Sequence, residues 1–117
     1  GTLLPSARAA QAVGLLLFSP DSAHLAYTTC RANKWFMNVD QQQGKPYDTI
    51  ARGSARFSED GKRIIYPAQK GQNWVVVVDG REGPEYNTIL LGGPSLRPDG
   101  SVEYLATRGQ TLYRVKM

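Results

Sequence analysis

The sequence predicts an all-β fold assembled from recurring four-stranded units, and three observations predict it. A pattern returns every 39 residues, Asp-Gly turn signals punctuate the returns, and no stretch carries three or four turns of helical periodicity. The 117 residues suit one domain, and 41% hydrophobic with 21% charged side chains places the chain among core-forming rather than disordered sequences. Twelve glycines, seven prolines and six tyrosines favour short strands joined by tight turns.

The recurrence is visible residue by residue. Phe18-Ser19-Pro20-Asp21 returns as Phe57-Ser58-Glu59-Asp60 and again as Leu96-Arg97-Pro98-Asp99. Tyr27 falls on Tyr66, Trp35 on Trp74, Val39-Asp40 on Val78-Asp79, and Tyr47 on Tyr86. Residues 16–54 match 55–93 at 12 of 39 positions without a gap, several times what chance supplies. One deletion after Gly100 sets Val102 and Tyr104 over Ile64 and Tyr66, with Leu112 in the place of Trp74. The chain therefore divides into residues 1–13, an N-terminal arm or outer strand; units 14–54 and 55–93; and an incomplete unit, 94–117.

The elements of the middle unit follow in order. A first strand ends at Phe57, and Ser58 to Lys62 turn the chain, because Gly61 accepts positive φ without a Cβ clash. A second strand runs from Arg63 to Ala68, a turn spans Lys70 to Asn73, and a third strand runs from Trp74 to Val78. Asp79-Gly80 makes another hairpin. The segment Tyr86 to Leu90 is expected as a fourth, outer strand, with Pro84 suited to an edge because it has no N–H to donate. Residues 2–13 occupy the place of a preceding outer strand without matching its sequence. Pairing with the 112–117 strand and a loose arm are both open.

Trp74 to Val78 does not alternate apolar with polar, so both faces of that strand must be covered. Four-stranded units of about 40 residues that cover one another's faces are the blades of a β-propeller. The expectation is about three such blades, the last lacking its outer strand. Closed propellers carry more, so the ring is completed by oligomerisation, most simply a homodimer with six blades, or the chain is a piece of a longer polypeptide. Phe36 and Asn38 in the first unit, and Leu112, Arg114 and Lys116 in the last, make opposite faces of the two end units more polar. Those faces are expected to point outward to water.

"FSPDS", "FSEDGKR" and "LRPDG", each followed by an aliphatic residue and tyrosine, resemble the WD-like repeat of TolB-type bacterial propellers. "WVVVVDGREGPEY" is similar to tandem repeats in bacterial propellers that look like the N-terminal propeller of dipeptidyl-peptidase-type proteins. The resemblance covers about residues 14–117 and implies a periplasmic or secreted setting. The Trp-Asp ending and Gly-His start of eukaryotic WD repeats are absent, and Ser58 to Gly61 only partly approximates a sialidase-type Asp box. Such blades serve many tasks, so the resemblance specifies a scaffold rather than an activity.

Function classes are narrowed mainly by exclusion. The net charge of +4 is spread along the chain, its longest basic cluster being Lys62-Arg63, which argues against a nucleic-acid partner. No apolar stretch is long enough to span a bilayer as a helix. Cys30, the only cysteine, excludes an internal disulfide and a multi-cysteine metal site. His24, the only histidine, reads as a surface residue beside a turn. Neither Ser54 nor Ser95 sits in a nucleophile elbow, and "LLGGPS" has too few glycines to cradle phosphate.

Asp40 and Asp79, and likewise Asp21, Asp60 and Asp99, read as turn residues rather than paired catalytic carboxylates. Tyr27, Tyr66 and Tyr104, with Phe18, Phe57, Leu96, Trp35, Trp74 and Leu112, read as packing positions between units. Recognition would fall to the turns at 31–34 and 70–73 on one rim and 41–46 and 80–85 on the other, where Lys34, Lys45, Lys70 and Arg81 could meet an acidic partner. The expected role is a non-enzymatic scaffold for protein binding or assembly, without cofactor or metal, whose partner is a second copy or another protein. The alternatives are the propeller portion of a larger peptidase-like enzyme and a propeller that binds a small ligand.

Overall fold

Hairpin chemistry sets the strand boundaries. Asp40-Gln41 and Asp79-Gly80 each form a two-residue loop with positive φ at both positions, 49° and 72° in the first and 52° and 82° in the second. This primed turn matches the right-handed twist of the strands it joins. The aspartate also clamps the hairpin, since Leu25 N–H donates to Asp40 Oδ1 at 3.1 Å and Ile64 N–H to Asp79 Oδ1 at 3.0 Å. Gly71 and Gly109 supply positive φ, 61° and 62°, in the other two-residue loops of the middle and third sheets.

The computed structural model describes residues 12–51, 55–90 and 94–117, which contain strands and turns and no helix. Residues 1–11 of the arm, Ser54, and residues 91–93 of "LLGGPS" lie outside the described residues. The first sheet orders β1 (Ala12–Phe18), β2 (Leu25–Arg31), β3 (Lys34–Val39) and β4 (Gln42–Gln43). In the middle sheet β5 (Thr49–Ile50) and β6 (Arg56–Phe57) share one edge of β7 (Ile64–Lys70), followed by β8 (Asn73–Val78) and β9 (Arg81–Glu82). In the third, β10 (Thr88–Ile89) and β11 (Ser95–Leu96) share one edge of β12 (Val102–Arg108), and β13 (Thr111–Lys116) lies on the other. All pairings are antiparallel, and no sheet closes on itself among the described residues.

The middle sheet answers the valine run. Val75 and Val77 join Ile64, Tyr66 and Ala68 in a buried cluster with Ala26 and Met37 of the first sheet. Val76 and Val78 join Ile65 in a second cluster with Val102, Tyr104 and Ala106 of the third sheet. Successive side chains of one strand thus enter two different cores. Val75, Val76 and Val77 are all fully buried.

Four details differ from expectation. Tyr86 to Leu90 does not form an outer strand of its own unit. β9 takes that edge, Tyr86 only bridges to Trp74, and Thr88-Ile89 cross to pair with Thr107 and Ala106 of the third sheet. The physical reason lies in Asn87, whose Oδ1 accepts the Gly109 N–H at 2.6 Å and draws the strand to the next hairpin. Residues 12 and 13 pair with Cys30 and Thr29 in β2, so they are not available to β13.

Asn38 is not on a wet face. It is fully buried, and its Nδ2 donates to Tyr27 O at 3.1 Å and Thr29 Oγ1 at 3.0 Å, which satisfies the amide hydrogens without water. Packing positions also divide. Tyr27, Tyr66 and Tyr104 are buried and Phe57 and Leu96 partly buried, but Trp35 and Trp74 are only half-buried at strand ends, and Phe18 is 58% exposed.

Candidate functional site

Two seams join the sheets, and corresponding residues build both. Tyr47 exchanges backbone hydrogen bonds with Trp35 at 2.9 and 2.7 Å, and Tyr86 does the same with Trp74. Each ring then meets the tyrosine of the following sheet edge to face, Tyr47 with Tyr66 at 6.4 Å between centroids and Tyr86 with Tyr104 at 6.2 Å. That arrangement sets the positive edge of one ring toward the negative face of another. Burial raises the Tyr66 and Tyr104 phenols to about 12.

Polar contacts follow the same plan. Asp48 Oδ2 accepts the Gly71 N–H at 2.6 Å, as Asn87 accepts from Gly109 across the other seam. Ser19 and Ser58 donate to Asp21 and Asp60 within their turns, and Ser101 donates to Asp99 at 2.6 Å. These serine bonds, helped by backbone N–H groups, hold the three carboxyls below their ordinary value. Asp40 is held low by the Leu25 N–H and then by His24, whose Nδ1 lies 2.5 Å from Oδ2. The aspartates therefore work inside turns and are not gathered into a catalytic pair.

The rim cations do not converge on one patch. Lys34 pairs with Asp48, and Lys70 Nζ donates to Glu82 Oε1 at 2.9 Å. Glu82 also accepts the Tyr47 hydroxyl at 2.7 Å, and the Lys70 bond first, then the Tyr47 bond, keep its carboxyl below the ordinary value. Lys45 and Arg81 are exposed and make no ion pair among the described residues. Arg63 escaped sequence reasoning. Its Nε donates to Asp79 Oδ2 at 3.1 Å and its Nη1 to the Gly100 carbonyl, linking the turns of two sheets. His24 stands 39 residues earlier and makes the corresponding bond to Asp40, which explains its place beside the turn.

Cys30 is a partly buried free thiol, Ser95 is exposed in β11, and no group of three His, Cys, Asp or Glu side chains is placed to hold a metal. No described helix is long and apolar enough to cross a membrane.

The outer side of the third sheet is the most open surface. Leu105 and Leu112 are 45% and 59% exposed there. Glu103 lies on the same face beyond Leu105, opposite Lys116, and accepts from Arg97 at 2.6 Å and from Arg114. In the middle sheet Glu103 and Arg114 correspond to Ile65 and Val76, both buried under the third sheet, while Leu105 and Leu112 correspond to buried Pro67 and partly buried Trp74. No strand pairs with the outer edge of β13 among the described residues, whereas β3 and β8 carry β4 and β9. No family model matches this chain, and no curated protein or solved structure matches it either.

Proposed function

We propose that the chain is a non-enzymatic β-propeller module, a scaffold for protein binding and assembly whose partner is a second copy of itself. The observation that carries this reading is the face-to-face stacking of sheets through corresponding tyrosine seams, together with an end sheet that keeps Leu105, Leu112 and one strand edge open. A stacking face left open invites a further sheet. Leu16 and Phe18, 62% and 58% exposed on the first sheet, supply apolar surface at the opposite end. Contact between unlike ends is heterologous, and it ends in a ring when the rotation closes. Arg114, Lys116 and Glu103 make that contact wetter than the seams inside the chain, whose facing residues are valine, isoleucine and tyrosine.

Light scattering at tens of micromolar tests the reading. The expected mass is twice 12.9 kDa or a higher multiple, falling to the single-chain value in Leu112→Glu with the fold retained. A cooperatively folded wild-type species that stays at 12.9 kDa overturns it.

A further inference from the structure

Both inner seams are crossed in the same way, and each end of the chain holds one half of that crossing. After β4, Tyr47 exchanges backbone bonds with Trp35 of β3, and then Thr49 and Ile50 pair with Gln69 and Ala68 of β7. After β9, Tyr86 does so with Trp74 of β8, and then Thr88 and Ile89 pair with Thr107 and Ala106 of β12. One continuous run thus completes the outer edge of one sheet and begins the next. At the start of the chain, Ala12 and Val13 pair with Cys30 and Thr29, which stand 39 residues before Gln69 and Ala68. They are the second half of such a run, and no earlier sheet exists among the described residues to take its first half. At the other end, β13 has no edge strand among the described residues.

The two halves agree in side chains and in length. Ala10 stands two residues before Ala12, as Tyr47 stands two before Thr49 and Tyr86 two before Thr88. The inner junctions bridge tryptophan to tyrosine, whereas the unjoined halves carry Leu112 in the tryptophan's place and Ala10 in the tyrosine's. Both aromatic partners are therefore replaced together. The run from Arg81 at the start of β9 to Tyr86 has its counterpart in residues 5–10, which the sequence ahead of β1 is long enough to supply. We propose that residues 5–10 of a second copy form the edge strand that β13 lacks, with Ala10 exchanging backbone bonds with Leu112. This rests on the self-assembly reading above and names the segment that joins the copies. Main-chain hydrogen bonds supply the pairing, as in other strand additions to an open sheet edge. Leucine and alanine bury less apolar area than tryptophan and tyrosine, so this junction is weaker than the inner two and opens on dilution.

Cross-linking between separately marked chains tests the pairing. In a Cys30→Ser background, one chain carries Ala10→Cys and another Leu112→Cys, and the two are mixed and oxidised. Directly opposed residues of a hydrogen-bonded antiparallel pair lie about 5.5 Å apart between Cα atoms, within disulfide reach. A covalent dimer is expected from this mixture, several-fold more abundant than from either chain alone. It should also exceed the yield of Ala10→Cys mixed with Leu105→Cys, which is exposed on the same end face but one strand farther from the edge. Ala10→Pro, which removes the N–H that the pairing uses, should raise the dissociation constant of the assembly several-fold without loss of fold. Light scattering on the same samples separates this proposal from the reading beneath it. Copies that associate but link no better through positions 10 and 112 than through 10 and 105, or that associate equally well in Ala10→Pro, overturn the strand proposal and leave self-assembly standing. A wild-type species at the single-chain mass overturns both.

Discussion

Val76→Asp is expected to abolish the cooperative unfolding transition, and Val75→Asp to do the same through the opposite face. Both side chains are fully buried, one against the third sheet and one against the first. Losing a buried valine removes about 1.5–3 kcal/mol of burial, and an unpaired carboxylate in that place adds several kcal/mol of desolvation. A domain of this size is stable by only about 5–15 kcal/mol, so either change consumes much of the total. Leu112→Asp, on the open end face, should shift the stability of the single chain by no more than about 0.5 kcal/mol. Urea denaturation followed by tryptophan fluorescence makes the comparison. A near-native transition in either valine variant would mean that one face of β8 is not a core.

Tyr66→Ala should cost about 3–5 kcal/mol, the range for emptying a large aromatic site. Tyr66 is 3% exposed, lies in the first cluster, and receives Tyr47 edge-on, a geometry that adds about 0.5–1.5 kcal/mol beyond burial. Tyr66→Phe keeps the ring and should lose little of this. The phenol supplies a second readout. Its folded value of about 12 lies above the ordinary 10.0, chiefly because burial disfavours the phenolate. Stability from the neutral phenol is therefore complete below pH 10.0 and is lost as pH rises through about 12. Tyr66→Phe should flatten that alkaline limb, and an unchanged limb together with a small Ala effect would place the ring outside the core.

The parts of the fold legible in sequence are those decided locally. Asp79-Gly80 announces its hairpin because the turn needs two residues at positive φ, and the unbroken Trp74–Val78 run announces two covered faces. The crossing of Thr88-Ile89 into the next sheet was not legible, because "PEYNTI" reads as the same strand on either sheet. What decides it is Asn87 capping the hairpin at Gly109, a tertiary contact. The tryptophans sit at the margin of the cores: Trp35 and Trp74 each exchange backbone bonds with a tyrosine at the strand end, and both are partly buried, Trp35 against the first cluster.

Of the candidate sites, Lys34 and Lys70 were visible as rim residues, but not that Asp48 and Glu82 neutralise them.

Stacking on both sides of the middle sheet is tested most directly by thiol accessibility. In a Cys30→Ser background, single cysteines replace Val75, Val76 and Leu112, and their reaction with a small thiol reagent is timed under native conditions. Both valine positions should react only as fast as the protein unfolds, while the Leu112 position reacts at once in protein diluted to single chains. A thiol at position 75 or 76 that reacts as quickly as the one at 112 would contradict the account.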